Sequence, residues 1–147
     1  GLKLLNQTKN IGLKTLIKSI GFNEIDSTAV SFGIAPRINA CGRMGHQEDA
    51  LELFLTENYN EATQITEKLN KYNRTRQEKE KGIFEQALSM IEKESKNKNT
   101  IVLAGENWHH GVIGIVASKI TDIYFKPTIL ICMEEEEGKG SGHYIGP

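Results

Sequence analysis

Residues 60–95 restrict the possible folds more than any other stretch of this chain. Ala62, Ile65, Leu69 and Tyr72 step by three or four, as do Phe84, Ala87, Leu88 and Ile91, which is the period of one helical face. Between the two sets, "NRTRQEKEKG" (73–82) holds no apolar residue. A helix that is apolar at both ends and polar all round in its middle suits a bridge between two lobes. Residues 60–97 are therefore read as a connecting helix, with 1–59 and 98–147 as the parts it joins. Gly82 leaves open a second arrangement, two helices with a turn at that point.

After the bridge the pattern changes. "TIVLAG" and "KPTILICM" are continuous apolar runs, and "GVIGIVASKITDIYF" between them is helical. Strand, helix, strand with buried-type strands predicts a βαβ unit and a parallel pairing. The acidic "MEEEEGKG" then reads as a turn into a third strand or loop. Before the bridge, "NIGLKTLIKSIGF" is a helix stopped by Gly21, and "DSTAV" offers Asp26 or Ser27 as the cap of a short turn. "GIAPRINACGRMG", broken by Gly33, Pro36, Gly42 and Gly45, reads as a shaped loop. "HQEDALELFLTE" returns to helix, with Ala50, Leu51, Leu53, Phe54 and Leu55 expected on its buried side. The fold class is α/β: an N-terminal helical segment, a long connecting helix, and a C-terminal βαβ unit with a mainly parallel sheet.

The net charge of -1 gives no global attraction to nucleic acid or membrane, so any anion site has to be built locally. Three stretches could build one. "GENWHHG" lies between the first strand and the helix, where open α/β sheets usually bind ligands. A helix N-terminus offers unpaired N–H groups and partial positive charge to a phosphate. Gly111 and Gly114 permit close approach, and His109 can add a donor. The competing role is structural: Trp108 packs under the sheet and both histidines cap the strand end. A His-His zinc site lacks a partner at recognisable spacing.

"PRINACGR" (36–43) holds two of the four arginines in a chain that otherwise uses lysine, Arg37 and Arg43. Arginine is selected where a planar fork grips a carboxylate or phosphate. Asn39 between them can read a base edge or hold the loop, and pairing of an arginine with Asp49 or Glu48 is the structural alternative. "GKGSG" (138–142) can form a concave nest of backbone N–H groups beside Lys139 and Ser141. By contrast, Asp26, Asp49 and Asp122 are scattered singly, and metal-dependent phosphodiester hydrolysis needs several ligands together. Cys41 and Cys132 stand in no ligand spacing and read as reduced thiols of a cytoplasmic protein. Gly at position 1 and the ending "GSGHYIGP" lead us to expect a piece of a longer chain.

In this order, "GIAPRINACGRMGH", "GENWHHGVIGIVASKI" and "GKGSG", separated by a long charged helix, resemble the RecJ-like exonucleases of the DHH phosphoesterase superfamily. The resemblance runs along essentially the whole chain. It implies a 5′→3′ exonuclease acting on single-stranded DNA, with Mn²⁺ or Mg²⁺ held by an N-terminal DHH domain whose motifs this sequence lacks. Residues 1–59 then correspond to the end of the DHH lobe with its Arg/Asn loop, and 98–147 to part of the DHH-associated domain. The fragment alone is then expected to be inactive, with the missing DHH domain and single-stranded DNA as its partners. Arg37, Asn39 and Arg43 match a loop facing the DNA cleft, His109 and Gly111 a Trp-His-x-Gly motif, and Ser141 the serine of a Gly-Ser-Gly-Arg motif that holds the 5′-phosphate. Lys139 lies beside that serine. At His143 the family has arginine. A histidine is only partly charged near pH 7 and makes no bidentate grip, so either the terminal "HYIGP" is not natural sequence or phosphate binding there is weaker and pH-sensitive. A related hydrolase of short oligonucleotides or cyclic dinucleotides, and a non-enzymatic scaffold, are the two other readings.

Overall fold

The computed structural model describes residues 1–22, 24–93, 99–134 and 137–144. The expected boundary at 97/98 and the final residues of "HYIGP" lie outside them. Two compact units emerge, Gly1–Arg76 and Gln77–Pro147.

In the first unit, helix α1 (Leu2–Asn6) leads to α2 (Ile11–Ile20). Asn10 caps α2 by accepting the Leu13 N–H at 2.8 Å, and Gly21 ends it in the left-handed conformation at φ 81°. Asn6 bonds both backbone groups of Ile25, donating to its carbonyl at 2.8 Å and accepting its N–H at 2.9 Å, which ties α1 to the segment beyond α2. A π-helical turn (Ala29–Ile34) runs directly into α3 (Ala35–Arg43). The predicted loop over "GIAPRINACGRMG" is thus helical for most of its length. Pro36 is near the start of α3, inside the continuous helical run, and its missing N–H falls just after the π-helical turn. Gly33 gives room rather than a bend, because a Cβ there would lie 3.0 Å from the side chains of Ile20 and Phe22.

Helix α4 (Gln47–Leu55) packs on α2 so closely that a Cβ on Gly12 would lie 1.7 Å from the Leu53 carbonyl oxygen. Its inward stripe is Asp49, Leu53 and, just past its end, Thr56, whereas Leu51 and Leu55 face out. The expected apolar face is therefore rotated, and a carboxylate occupies a buried position. Leu16, Ile25, Ala29, Ile34, Cys41 and Leu53 form the core with Ala62, Ile65 and Leu69 of the long helix.

That helix, α5 (Tyr59–Lys93), is continuous through Gly82, so the two-helix alternative is not adopted. Its polar middle is not uniformly solvated: Asn73 and Glu80 are buried. Asn73 accepts from Arg76 at 3.2 Å, and Glu80 pairs with Lys119.

In the second unit β1 (Ile101–Glu106), α6 (His110–Tyr124), β2 (Thr128–Glu134) and β3 (Glu137–His143) form a sheet of order β1-β2-β3 with α6 against it. β1 and β2 are parallel, pairing Ile101 with Thr128 and Glu106 with Met133. β3 adds antiparallel, pairing Leu130 with Ser141 and Cys132 with Lys139. The sheet is mixed, and "GKGSG" is extended strand, not a nest. Leu103, Leu130 and Cys132 are buried with Val112, Ile113, Val116 and Ile120 of α6. The alternating register places Val102, Ile129 and Met133 on the opposite, more exposed face. α6 closes on Phe125, left-handed at φ 52° and 82% exposed.

Candidate nucleic-acid interface

Helical spacing splits the "PRINACGR" trio. Residues four apart share a helix face and residues two apart do not. Asn39 and Arg43 therefore lie one turn apart on α3, the first exposed and the second half-buried. Arg37 turns elsewhere: its Nε donates to Asn70 Oδ1 at 2.6 Å and its guanidinium to the Gly33 carbonyl at 2.7 Å. Burial, and then the charge of Arg74, pull its pKa below the ordinary guanidinium value. The expected Arg/Asn loop is thus a helix that carries Asn39 and Arg43 one turn apart and uses Arg37 as a brace to α5.

α3 ends in a closed motif. The Gly45 N–H donates to Gly42 O at 3.4 Å and the His46 N–H to Cys41 O at 2.8 Å, with Gly45 at φ 80°. These are the paired bonds of a Schellman cap, which needs a left-handed residue where glycine is cheapest. Arg43 occupies the last turn, where the helix dipole favours a cation.

The "WHHG" entrance is built around Trp108. Its indole lies against Gly105, where a Cβ would come within 2.1 Å of the ring. Its Nε1 donates to Gln86 Oε1 at 2.7 Å, and its carbonyl accepts from the Cys132 thiol at 2.6 Å. Held in this way, the chain enters α6 with His109 as N-cap, its Nδ1 accepting the Gly111 N–H at 3.1 Å. The aromatic and first histidine therefore replace a Ser or Asp cap, at the helix rather than at the strand end. Burial lowers the pKa of His109, reinforced by His110 and Lys79 and opposed by Glu134. The capping ring is accordingly neutral near pH 7.

Strand alternation points Lys139, Ser141 and His143 toward the α6 side of β3. A Cβ on Gly114 would lie 3.0 Å from Ser141 Oγ, so the serine rests on the first turns of α6. The structure thus places Ser141 against Gly114, three residues along α6 from Gly111. Glu134, at the end of β2, lies 3.5 Å from Lys139 Nζ and 3.6 Å from His110 Nδ1. Lys139 holds the Glu134 carboxyl below the usual carboxylate range, whereas burial pushes the Cys132 thiol up.

Sequence reasoning did not single out Gln86 or Glu134. Gln86 follows Ile83 by three on α5 and could have been found as a polar residue beside the buried stripe. Glu134 was lost in the "EEEE" run. Among the described residues, no group of three or more His, Cys, Asp or Glu side chains is placed to hold a metal ion.

The chain joins a helical unit to an α/β unit whose helix entrance is glycine-tight and histidine-capped beside a Ser-bearing strand. No protein-family profile matches it. It is similar along its whole length to RecJ: 36% identical to the single-stranded-DNA-specific exonuclease RecJ of Bacillus subtilis over 99% of this chain and 19% of the relative. The Thermus thermophilus protein of the same name is 35% identical over 100% of this chain and 21% of the relative. The crystal structure of RecJ in complex with Mg²⁺ from Thermus thermophilus superposes with a TM-score of 0.88 at 33% identity, covering 100% of this chain and 23% of that one. A crystal structure of exonuclease RecJ bound to manganese gives 0.86 at 33%, covering 100% of this chain and 36% of that one. The chain is similar to RecJ and spans about a fifth of the length of these curated relatives.

Proposed function

We propose that this chain supplies DNA and 5′-phosphate contacts to a RecJ-type 5′→3′ single-stranded-DNA exonuclease. The observation that carries the reading is the likeness of the entire chain to solved RecJ structures at a TM-score of 0.88. Gly1–Arg76 contributes Asn39 and Arg43 from α3, and the second unit contributes His109, Gly111, Lys139, Ser141 and His143. Neutral His109 keeps its Nε2 proton to donate, because Nδ1 is the acceptor from Gly111. Lys139 supplies charge once it leaves Glu134, and Ser141 supplies a hydroxyl. Hydrolysis belongs to metal-binding residues outside this segment, so the segment is inactive alone, and the setting is the cytoplasm.

One observation favours a scaffold instead: Arg37, His109 and Lys139 all have partners within the chain. A salt series separates the two. Fluorescence anisotropy with a short single-stranded oligonucleotide should give log affinity falling with log salt at about -0.7 per phosphate contact. Arg43→Lys should weaken binding despite the retained charge, because the fork is lost. A folded chain with no salt-sensitive binding favours the scaffold.

A further inference from the structure

Asp49 is a carboxylate at 7% exposure with no part in the proposed contacts. It accepts from Tyr72 Oη at 2.7 Å and from Lys68 Nζ at 3.0 Å, both on α5. The Tyr72 ring is stacked on His46, centroids 4.6 Å apart and planes 10° from parallel. His46 is the N-cap residue of α4, lies 3.8 Å from Glu48, and donates the backbone bond that closes the Schellman cap of α3. An unbroken path of contacts therefore runs from Asp49 on α4, through Tyr72 on α5 and His46, to the turn that begins one residue after Arg43.

We propose that Asp49, Tyr72 and His46 are positioning residues that fix the C-terminal turn of α3, and with it the direction in which Arg43 presents its guanidinium to DNA phosphate. The proposal rests on the reading of Arg43 as a phosphate contact. A planar fork is sensitive to a small rotation of its helix end, because bidentate geometry fails when either N–H misses its oxygen. An ordinary cap would leave this turn to fray. Here a buried carboxylate accepts from two groups on α5 while the Tyr72–His46 stack presses the turn onto the same helix. The carboxylate stays ionised in this position. Burial raises its pKa, but the Tyr72 and Lys68 hydrogen bonds and the charges of Lys68 and His46 bring it below its ordinary value.

The proposal is tested by a double-mutant cycle of Tyr72→Phe with Arg43→Ala, read by anisotropy on a 5′-phosphorylated single-stranded oligonucleotide across a salt series. Tyr72→Phe keeps the ring and its stack and removes only the hydroxyl. Alone, it should weaken binding about three- to tenfold, the range of a coupled neighbour, and flatten the salt slope by about 0.7, as for one lost phosphate contact. In the Arg43→Ala background it should change neither. Asp49→Asn, which keeps an acceptor for Tyr72, should lose much less than Tyr72→Phe. A shift in melting temperature with unchanged affinity and slope overturns the proposal, and so does an additive cycle; in both cases Arg43 remains a contact. If Arg43→Ala binds like the wild type, the contact reading fails and the positioning role fails with it.

Discussion

The two candidate surfaces are helix ends made in opposite ways. At the C-terminus of α3 the backbone bends left-handed at Gly45, and charged and aromatic side chains hold the turn: Asp49, Lys68, Tyr72 and His46. At the N-terminus of α6 the holding elements are a buried indole, a thiol and a glycine with no room for a Cβ: Trp108, Cys132 and Gly105. The first surface is pinned by ionised groups and is sensitive to pH. The second is pinned by packing and is sensitive to volume.

The sharpest break in that comparison is Gly105→Ala, which drives a methyl into the Trp108 ring. Overpacking at a backbone contact should cost about 3 kcal/mol or more, seen as a lower midpoint in chemical denaturation. It should also shift Trp108 emission as the ring leaves its pocket, while the 39–46 turn keeps its amide spectrum. Gly12→Ala should be as severe for the first unit, since its Cβ would meet the Leu53 carbonyl.

The pH contrast comes next. Asp49 has a lowered pKa in the folded state, so its stabilisation is fully present above the unfolded carboxylate value of about 3.9 and is lost as pH falls through the folded value. Tyr72 is raised to about 12, chiefly by burial and then by its bond to Asp49, so its share is present below about 10 and is lost as pH rises toward 12. Thermal melts of the first unit's signals should therefore fall on both sides of a neutral plateau, and Asp49→Asn should remove the acid limb. The Trp108 region should show its own acid limb nearer neutrality, because the lowered pKa of His109 gives a share that is present above the unfolded histidine value of about 6.5 and is lost as pH falls below it; Asp49→Asn should leave that limb unchanged.

These expectations also mark what was legible in the sequence. The long helix and the strand–helix–strand order came directly from periodicity, because Ala62, Ile65 and Leu69 have no other way to share a face. The "APRINACGR" segment misled for a physical reason. Gly and Pro punctuate a chain only where the backbone uses their freedom; Pro36 is carried in a helix just after a π-helical turn and Gly33 serves close packing. In the stretch from Gly33 to Gly45, only Gly45 bends the chain left-handed. The α4 face was misjudged because Asp49 is buried by partners on α5 that no local pattern reveals. The nest reading of "GKGSG" failed because strand pairing with Ile129, Ile131 and Met133 is a tertiary fact.

A milder probe of the packed end is Gln86→Leu, which leaves the buried Trp108 N–H without its acceptor. The cost should be about 1–3 kcal/mol, checked by urea denaturation. The smallest effect is expected at Phe125, a non-glycine residue held left-handed and mostly exposed. Phe125→Gly relieves strain of about 1–2 kcal/mol and gives part of it back in unfolded-chain entropy, so a slight rise in melting temperature is expected.

The most direct test of these two surfaces as proposed DNA contacts is an amide NMR titration of the chain with a 5′-phosphorylated single-stranded oligonucleotide at low salt. Perturbations are expected in two clusters, residues 39–46 and the group 109–114 with 139–143, and the second should shrink when the 5′-phosphate is replaced by hydroxyl. Perturbations that avoid both clusters, or a spectrum unchanged at saturating oligonucleotide, would contradict the account.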